Sequence, residues 1–162
     1  MTATHEYRLV VDDQFKVSVY SAPKVRAYLY EEHMNLDGNK GTLKKAYVLR
    51  NAHREDLVQI VPARRFPLPA FDLLEGGKKV GELLCLTLLR TQYRFAFQDG
   101  TSWEIHMPLF SIQCRVLANK TVKAWVRIFR QNEWGLAYLD GEAPVRFLAC
   151  VSALVLARWR ST

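Results

Sequence analysis

The stretch PVRFLACVSALVLARWRST, from Pro144 to Thr162, is the most apolar run of a chain that is otherwise basic. Between Phe147 and Ala157 it has one polar side chain, Ser152, and Arg146 and Arg158 bracket it. On a helical wheel these three residues share no face. A helix that is apolar all round either lies in a protein core or spans a membrane. Length separates the two, because a membrane span needs about 20 apolar residues and a run of about 10–14 marks a buried helix. This run is about eleven residues long. A buried C-terminal α-helix over about residues 144–159 is therefore expected. Asp140 and Glu142 precede it, Pro144 suits its first turn, and Arg158 and Arg160 suit the negative end of the helix dipole.

The remainder reads as strands. VRAYLYEE (Val25–Glu32), TLKKAYVLR (Thr42–Arg50), YRFAFQ (Tyr93–Gln98), SWEIHM (Ser102–Met107), SIQCRVL (Ser111–Leu117) and TVKAWVRIFR (Thr121–Arg130) are short and rich in β-branched and aromatic residues. Turn signals separate the strands: Asp37-Gly38-Asn39, Gly76-Gly77, Asp99-Gly100 and Asp140-Gly141. YRLVV, QFKVSVY, LVQIV, LPAFDLL, KVGELLCLTLL and WGLAYL bring the total to about a dozen, which suits a closed barrel better than a small sandwich. One hairpin has a readable register. With Gln98-Asp99-Gly100 as a three-residue loop, Phe97 faces Thr101, Phe95 faces Trp103 and Tyr93 faces Ile105. Arg94, Gln98, Glu104 and His106 then share the wet face.

A helix apolar on every side needs apolar neighbours on every side. The helix is about 24 Å long and a seven-residue strand about 23 Å. The fold class expected is thus mainly β: a closed antiparallel barrel of about 12 strands around a central hydrophobic C-terminal helix, with residues 1–162 forming one domain.

The segments AYLYEEHMNLDGN, FDLLEGGKKVGELLCLTLLRTQYRF and TVKAWVRIFRQNEWGLAYLDGEAPVRFLACVSALVLARW carry this order of features. Over roughly Tyr28 to Trp159 the chain resembles the Tubby C-terminal-like superfamily, in particular its LURP-one-related and phospholipid-scramblase-like branches. The last segment matches best: a strand ending in basic residues, a short strand, an acidic turn and a hydrophobic C-terminal helix. The resemblance implies a 12-stranded barrel threaded by that helix. It also implies phosphoinositide binding, as in Tubby domains, or a lipid or membrane interface, as in scramblase-like members. The motifs are patterns of hydrophobicity and turns, so no site residue carries over by position.

The totals limit the chemistry. The chain carries a net charge of +7, which favours acidic partners: nucleic acid, an anionic membrane surface or an acidic protein. Composition is globular, without low-complexity segments or internal repeats. Cys85, Cys114 and Cys150 are far apart, odd in number and set in apolar context, as buried small hydrophobes of a reducing compartment would be. MTATHEYRLVV lacks the basic and apolar regions of a secretory signal. A cytoplasmic location, peripheral to a membrane if lipid is the partner, is the expectation.

Catalytic signatures such as GxSxG, HExxH, the P-loop and GxGxxG do not occur in the sequence. NLDGNKG (Asn35–Gly41) fails as a calcium loop, with Lys40 at the sixth position and Ala46 at the twelfth, and reads as a hairpin turn. EGGKK (Glu75–Lys79) lies between strands rather than before a helix and also reads as a turn. No enzyme activity, cofactor or metal is expected. The remaining signal is basic. Lys123, Arg127 and Arg130 flank Trp125 on one strand, with Lys123, Trp125, Arg127 and Phe129 on the face opposite Val122, Ala124, Val126 and Ile128. A cation–aromatic–cation stripe suits an anionic headgroup or a phosphate backbone. In the more ordinary arrangement Trp125 packs under a loop and the cations cover it.

The leading expectation is a non-enzymatic Tubby-like barrel that binds an anionic lipid headgroup or acidic partner at Lys123, Trp125, Arg127 and Arg130. Two others remain: a lipocalin-like small-molecule binder, which needs an open barrel interior, and a basic nucleic-acid-binding module.

Overall fold

A computed structural model describes residues 3–22, 25–37, 42–64, 67–87, 91–108 and 111–160. Twelve strands and one helix follow in chain order: β1 (His5–Val11), β2 (Val17–Ala22), β3 (Val25–Asp37), β4 (Thr42–Asn51), β5 (Asp56–Arg64), β6 (Ala70–Glu75), β7 (Lys78–Cys85), β8 (Gln92–Phe97), β9 (Ser102–His106), β10 (Gln113–Ala118), β11 (Thr121–Arg130), β12 (Glu133–Tyr138) and α1 (Val145–Arg160). Each strand pairs antiparallel with its chain neighbour, and β1 pairs with β12 to close the barrel.

Alternation sets the wall. Tyr7, Leu9 and Val11 on β1, Tyr93, Phe95 and Phe97 on β8, Ala124 and Val126 on β11, and Trp134, Leu136 and Tyr138 on β12 are buried on the inner face. Their neighbours along each strand point outward. The β8–β9 hairpin has the register read from sequence: Phe95 faces Trp103 and Tyr93 faces Ile105. Its loop is held by the Phe97 N–H donating to the Thr101 carbonyl at 2.9 Å, with Gly100 at φ 91°. His106 is exposed, as that register requires. The β6–β7 turn uses Gly76 and Gly77, both at positive φ, so EGGKK is a hairpin. For NLDGNKG, residues 38–41 lie outside the described residues, although Asp37 and Thr42 pair on either side.

The helix lies inside this wall. Six consecutive residues, Phe147 to Ser152, are each at most 1% exposed. At about 3.6 residues per turn they sweep more than a full circle, so this part of the helix has no wet face. Leu154, Val155 and Leu156 are also buried, and exposure returns at Ala157. Phe147 meets the wall on three strands, with its ring centroid 5.2 Å from Trp103, 5.4 Å from Tyr138 and 6.1 Å from Phe95. Ser152 satisfies its hydroxyl within the helix by donating to the Leu148 carbonyl at 2.7 Å, the usual solution for a buried serine. All three cysteines are free and buried, and burial pushes the Cys114 and Cys150 thiols up. The helix fills the space that a lipocalin-like binder would leave open.

Two contacts fix where the helix enters. The buried Tyr7 hydroxyl accepts a hydrogen bond from the Ala143 N–H at 3.0 Å. Arg146, in the first helical turn, pairs with both carboxylate oxygens of Glu75 and lies 3.7 Å from Asp99. Its guanidinium also sits 5.5 Å from the centre of the Phe97 ring. A cation at a helix N-terminus opposes the dipole, and the two hairpin carboxylates offset that cost. The Gly76-Gly77 and Asp99-Gly100 turns therefore present the acids that hold the helix in register.

Candidate functional site

β11 carries the stripe read from sequence, and the structure divides its members. Ala124 and Val126 face the core, while Trp125, Arg127 and Phe129 face out and are exposed. Trp125 is 37% exposed, so it is not buried as the ordinary arrangement considered above would have it. Lys123 is half-buried, with its ammonium 3.9 Å from Asp140. Arg130 lies at the end of the strand opposite Glu133 and is exposed. The stripe thus contributes Trp125 and Arg127 to a groove, with Lys123 turned to an acid and Arg130 beyond its edge.

The groove encloses about 820 Å³ on the outer face of β2, β1, β12, β11 and β10. Its floor is β12, where the outward residues are Gly135 and Ala137. Larger side chains stand on either side. Cross-strand register orders them in two rows. The first runs Arg26, Tyr20, Arg8, Gly135, Arg127, Gln113. The second runs Glu6, Ala137, Trp125, Arg115, His106. Arg8 and Arg127 therefore flank Gly135 two strand spacings apart, about 10 Å between backbones. Glu6 and Trp125 flank Ala137 in the same way, about 7 Å further along the strands.

Aromatic rings hold both arginines. The Arg8 guanidinium lies 4.9 Å from the centre of the Tyr20 ring, and that of Arg127 lies 5.5 Å from the Phe129 ring. A bulge between Ile128 and Arg130 turns Phe129 across the floor. A Cβ at position 135 would come within 2.7 Å of that ring, so the missing side chain is what lets Phe129 lie there. Among the described residues, Arg8, Arg115 and Arg127 form no ion pair with a carboxylate. Guanidiniums without a carboxylate partner keep N–H donors for an incoming oxyanion.

A second basic surface differs in part. It is a polar groove of about 710 Å³ that includes Lys16, Arg26, Glu31, Arg50, Arg54 and Asp56. Arg50 donates to Asp56 at 2.7 Å, pairs with Glu31 and lies 3.4 Å from His33 Nδ1, while Lys16 reaches Glu31 at 3.5 Å. The hydrogen bond to Asp56, aided by both carboxylates, pushes the Arg50 guanidinium further up. Arg50 and Lys16 are thus committed within the protein, while Arg26 and Arg54 form no ion pair among the described residues. Among the described residues no group of three or more His, Cys, Asp or Glu side chains converges as a metal site would.

Sequence reasoning missed Glu6, Arg8, Tyr20, Gly135 and Ala137. Each lies on an outward position of its own strand; Gly135 and Ala137 adjoin β11 through the β11–β12 hairpin, whereas only the β1–β12 closure brings Glu6, Arg8 and Tyr20 near it. Their alternation was readable. Their neighbours across the closure were not.

No family model matches the chain, and no curated protein does. Among solved structures, an X-ray structure of an Arabidopsis thaliana protein superposes with a TM-score of 0.61. The match covers 99% of this chain and 93% of that one at 11% sequence identity, a likeness of fold alone.

Proposed function

We propose that this chain is a non-enzymatic barrel of the Tubby-like, LURP-one-related type that binds the phosphate of an anionic lipid headgroup in the groove over β12. One observation carries the reading. Two arginines without carboxylate partners among the described residues, each with its guanidinium over an aromatic ring, flank Gly135 and the Phe129 ring that packs on it. That arrangement offers charge and unpaired donors along one groove. The excess of basic residues supports attraction to an anionic surface, and the exposed rings of Trp125 and Phe129 suit a boundary between headgroups and water. No helix among the described residues is long and apolar enough to cross a membrane.

Vesicle sedimentation at low and high salt tests the reading. Vesicles rich in anionic lipid should retain the protein and release it as salt rises. The double variant Arg8→Ala/Arg127→Ala should weaken binding by about 2 kcal/mol, roughly 30-fold, at about 1 kcal/mol per basic residue near the surface. Unchanged retention of the double variant would remove the groove from the account. Tighter binding to single-stranded nucleic acid than to vesicles would point to the other polyanion.

A further inference from the structure

Two kinds of side chain are segregated around the wall, and they fall on the same side. On β4, β7 and β8, Lys45, Arg50, Lys79 and Arg94 each reach a carboxylate. On β1, β10 and β11, Arg8, Arg115 and Arg127 are exposed and, among the described residues, pair with none. Lys123, near the start of β11, is the exception on this side. Arg64 and Lys78, at strand ends, are the exceptions on the other. Among the described residues, the large apolar side chains that stand exposed are Phe15, Val25, Ile112, Trp125 and Phe129. They lie in the β1–β2 turn, at the start of β3, just before β10 and on β11. None lies on β4 to β9. The unpaired arginines and the exposed rings thus share the part of the wall that has β12 near its middle.

We propose that the barrel lies on its side against an anionic bilayer, with β12 at the contact line. Trp125 and Phe129 enter the headgroup layer, and Arg8, Arg115 and Arg127 each take a separate headgroup. This rests on the reading of the surface as a lipid-phosphate site and makes its partner a plane of headgroups rather than one. The Phe129 ring covers Gly135, so the centre of the contact is apolar. Arg8 and Arg127 stand on either side of it, about 10 Å apart between backbones, which suits two neighbouring phosphates better than a shared one. Curvature sets how far the contact extends. Twelve strands turn the wall by about 30° each, and spacing and tilt give it a radius of about 12 Å. A plane resting on β12 lies about 2 Å further from β1 and β11 and about 6 Å further from β10. An extended arginine on β10 covers that gap, so Arg115 joins the contact. β7 is turned away by about 150° and does not. Counting Arg130, four arginines stand here against Glu6 and Glu133, which leaves the face positive. The arginines supply attraction that salt screens, and the rings supply burial that salt leaves in place.

The test uses the full chain and vesicles of phosphatidylcholine with rising fractions of phosphatidylserine. Arg115→Ala, outside the groove lining, should weaken retention about fivefold, as Arg8→Ala and Arg127→Ala each do. Lys78→Ala removes the same charge from the far wall, beyond the reach of screened attraction, and should weaken it by less than about twofold. Trp125 reports the depth. Trp103 and Trp134 are buried, so Trp159→Phe leaves Trp125 as the one exposed indole. A phospholipid brominated near the headgroup end of its chain should quench that indole on vesicles, and adding Trp125→Phe should remove the quenching. Equal losses for Lys78→Ala and Arg115→Ala would show attraction by net charge alone and overturn the proposal. Retention without quenching of Trp125, or full release by soluble glycerol 3-phosphate, would also overturn it. Each of these leaves a lipid-binding protein in place. Failure of phosphatidylserine vesicles to retain the protein at all would overturn the reading beneath it.

Discussion

Truncating Phe147 to alanine tests whether the helix is the core of the barrel. Phe147 is fully buried and touches Trp103, Tyr138 and Phe95 at 5.2, 5.4 and 6.1 Å between ring centres. Those three rings belong to three strands of a closed wall, so they cannot collapse together into the space left behind. Phe→Ala changes at sites of this kind cost about 3–5 kcal/mol. Each lost edge contact adds to the lost burial, at about 0.5–1.5 kcal/mol per pair, which places the expected cost near 4 kcal/mol or above. For a domain of this length one kcal/mol moves Tm by about 2–4 °C, so Tm should fall by about 8–16 °C. Phe147→Leu keeps aliphatic bulk and should lose about a third as much. Ile112→Ala, at a residue 63% exposed, is the control and should stay within about 0.5 kcal/mol. The assay is thermal unfolding followed by circular dichroism, with urea titration at one temperature. A loss below about 3 °C for Phe147→Ala, or one equal to the control, would refute the placement of the helix at the centre.

Two further outcomes concern the helix entry. Tyr7→Phe strands the buried Ala143 N–H without an acceptor, so it should cost about 1–3 kcal/mol; an unchanged urea midpoint would show that water replaces the phenol. Asp99 is held below the usual carboxylate range chiefly by its hydrogen bond to the Thr101 N–H, with Arg146 adding to the effect. A folded-state value below the unfolded one stabilises above the ordinary aspartate range and is lost on acidification through the folded value. The Tm gap between wild type and Asp99→Ala should thus be full near pH 6 and close below about pH 4. A gap independent of pH would assign it to the turn backbone rather than to the charge.

What the chain reveals unaided follows from how local each signal is. The helix was legible because its length and lack of a polar face admit few homes. The β8–β9 register was legible because three loop residues fix it, and all twelve strands were marked by composition. Ends were less clear. β3 runs on to Asp37 because β4 pairs with it along its whole length, and β10 starts at Gln113 because Ser111 instead donates its hydroxyl to the Gln113 carbonyl at 2.9 Å. The groove was half legible. Trp125 and Arg127 alternate outward on one strand, which any period-2 reading finds. Arg8 reaches them only through closure between strands at opposite ends of the barrel sequence. The bulge that lays Phe129 across Gly135 depends on register, and the acid that occupies Lys123 depends on a turn after β12. None of these has a signature within its own segment.

The order of elements along the chain also bears on how the molecule is made. Eleven strands can add one after another as adjacent hairpins, each with little loop to close. Two events cannot proceed locally: joining β1 to β12, and seating the helix, which follows every strand in chain order. The apolar lining of the wall has no partner until then. A growing chain of this topology carries a sticky, unfinished cylinder until β12 and the helix have been made, and closure and filling arrive together then. That is the interval in which chaperone capture or misassembly competes with folding.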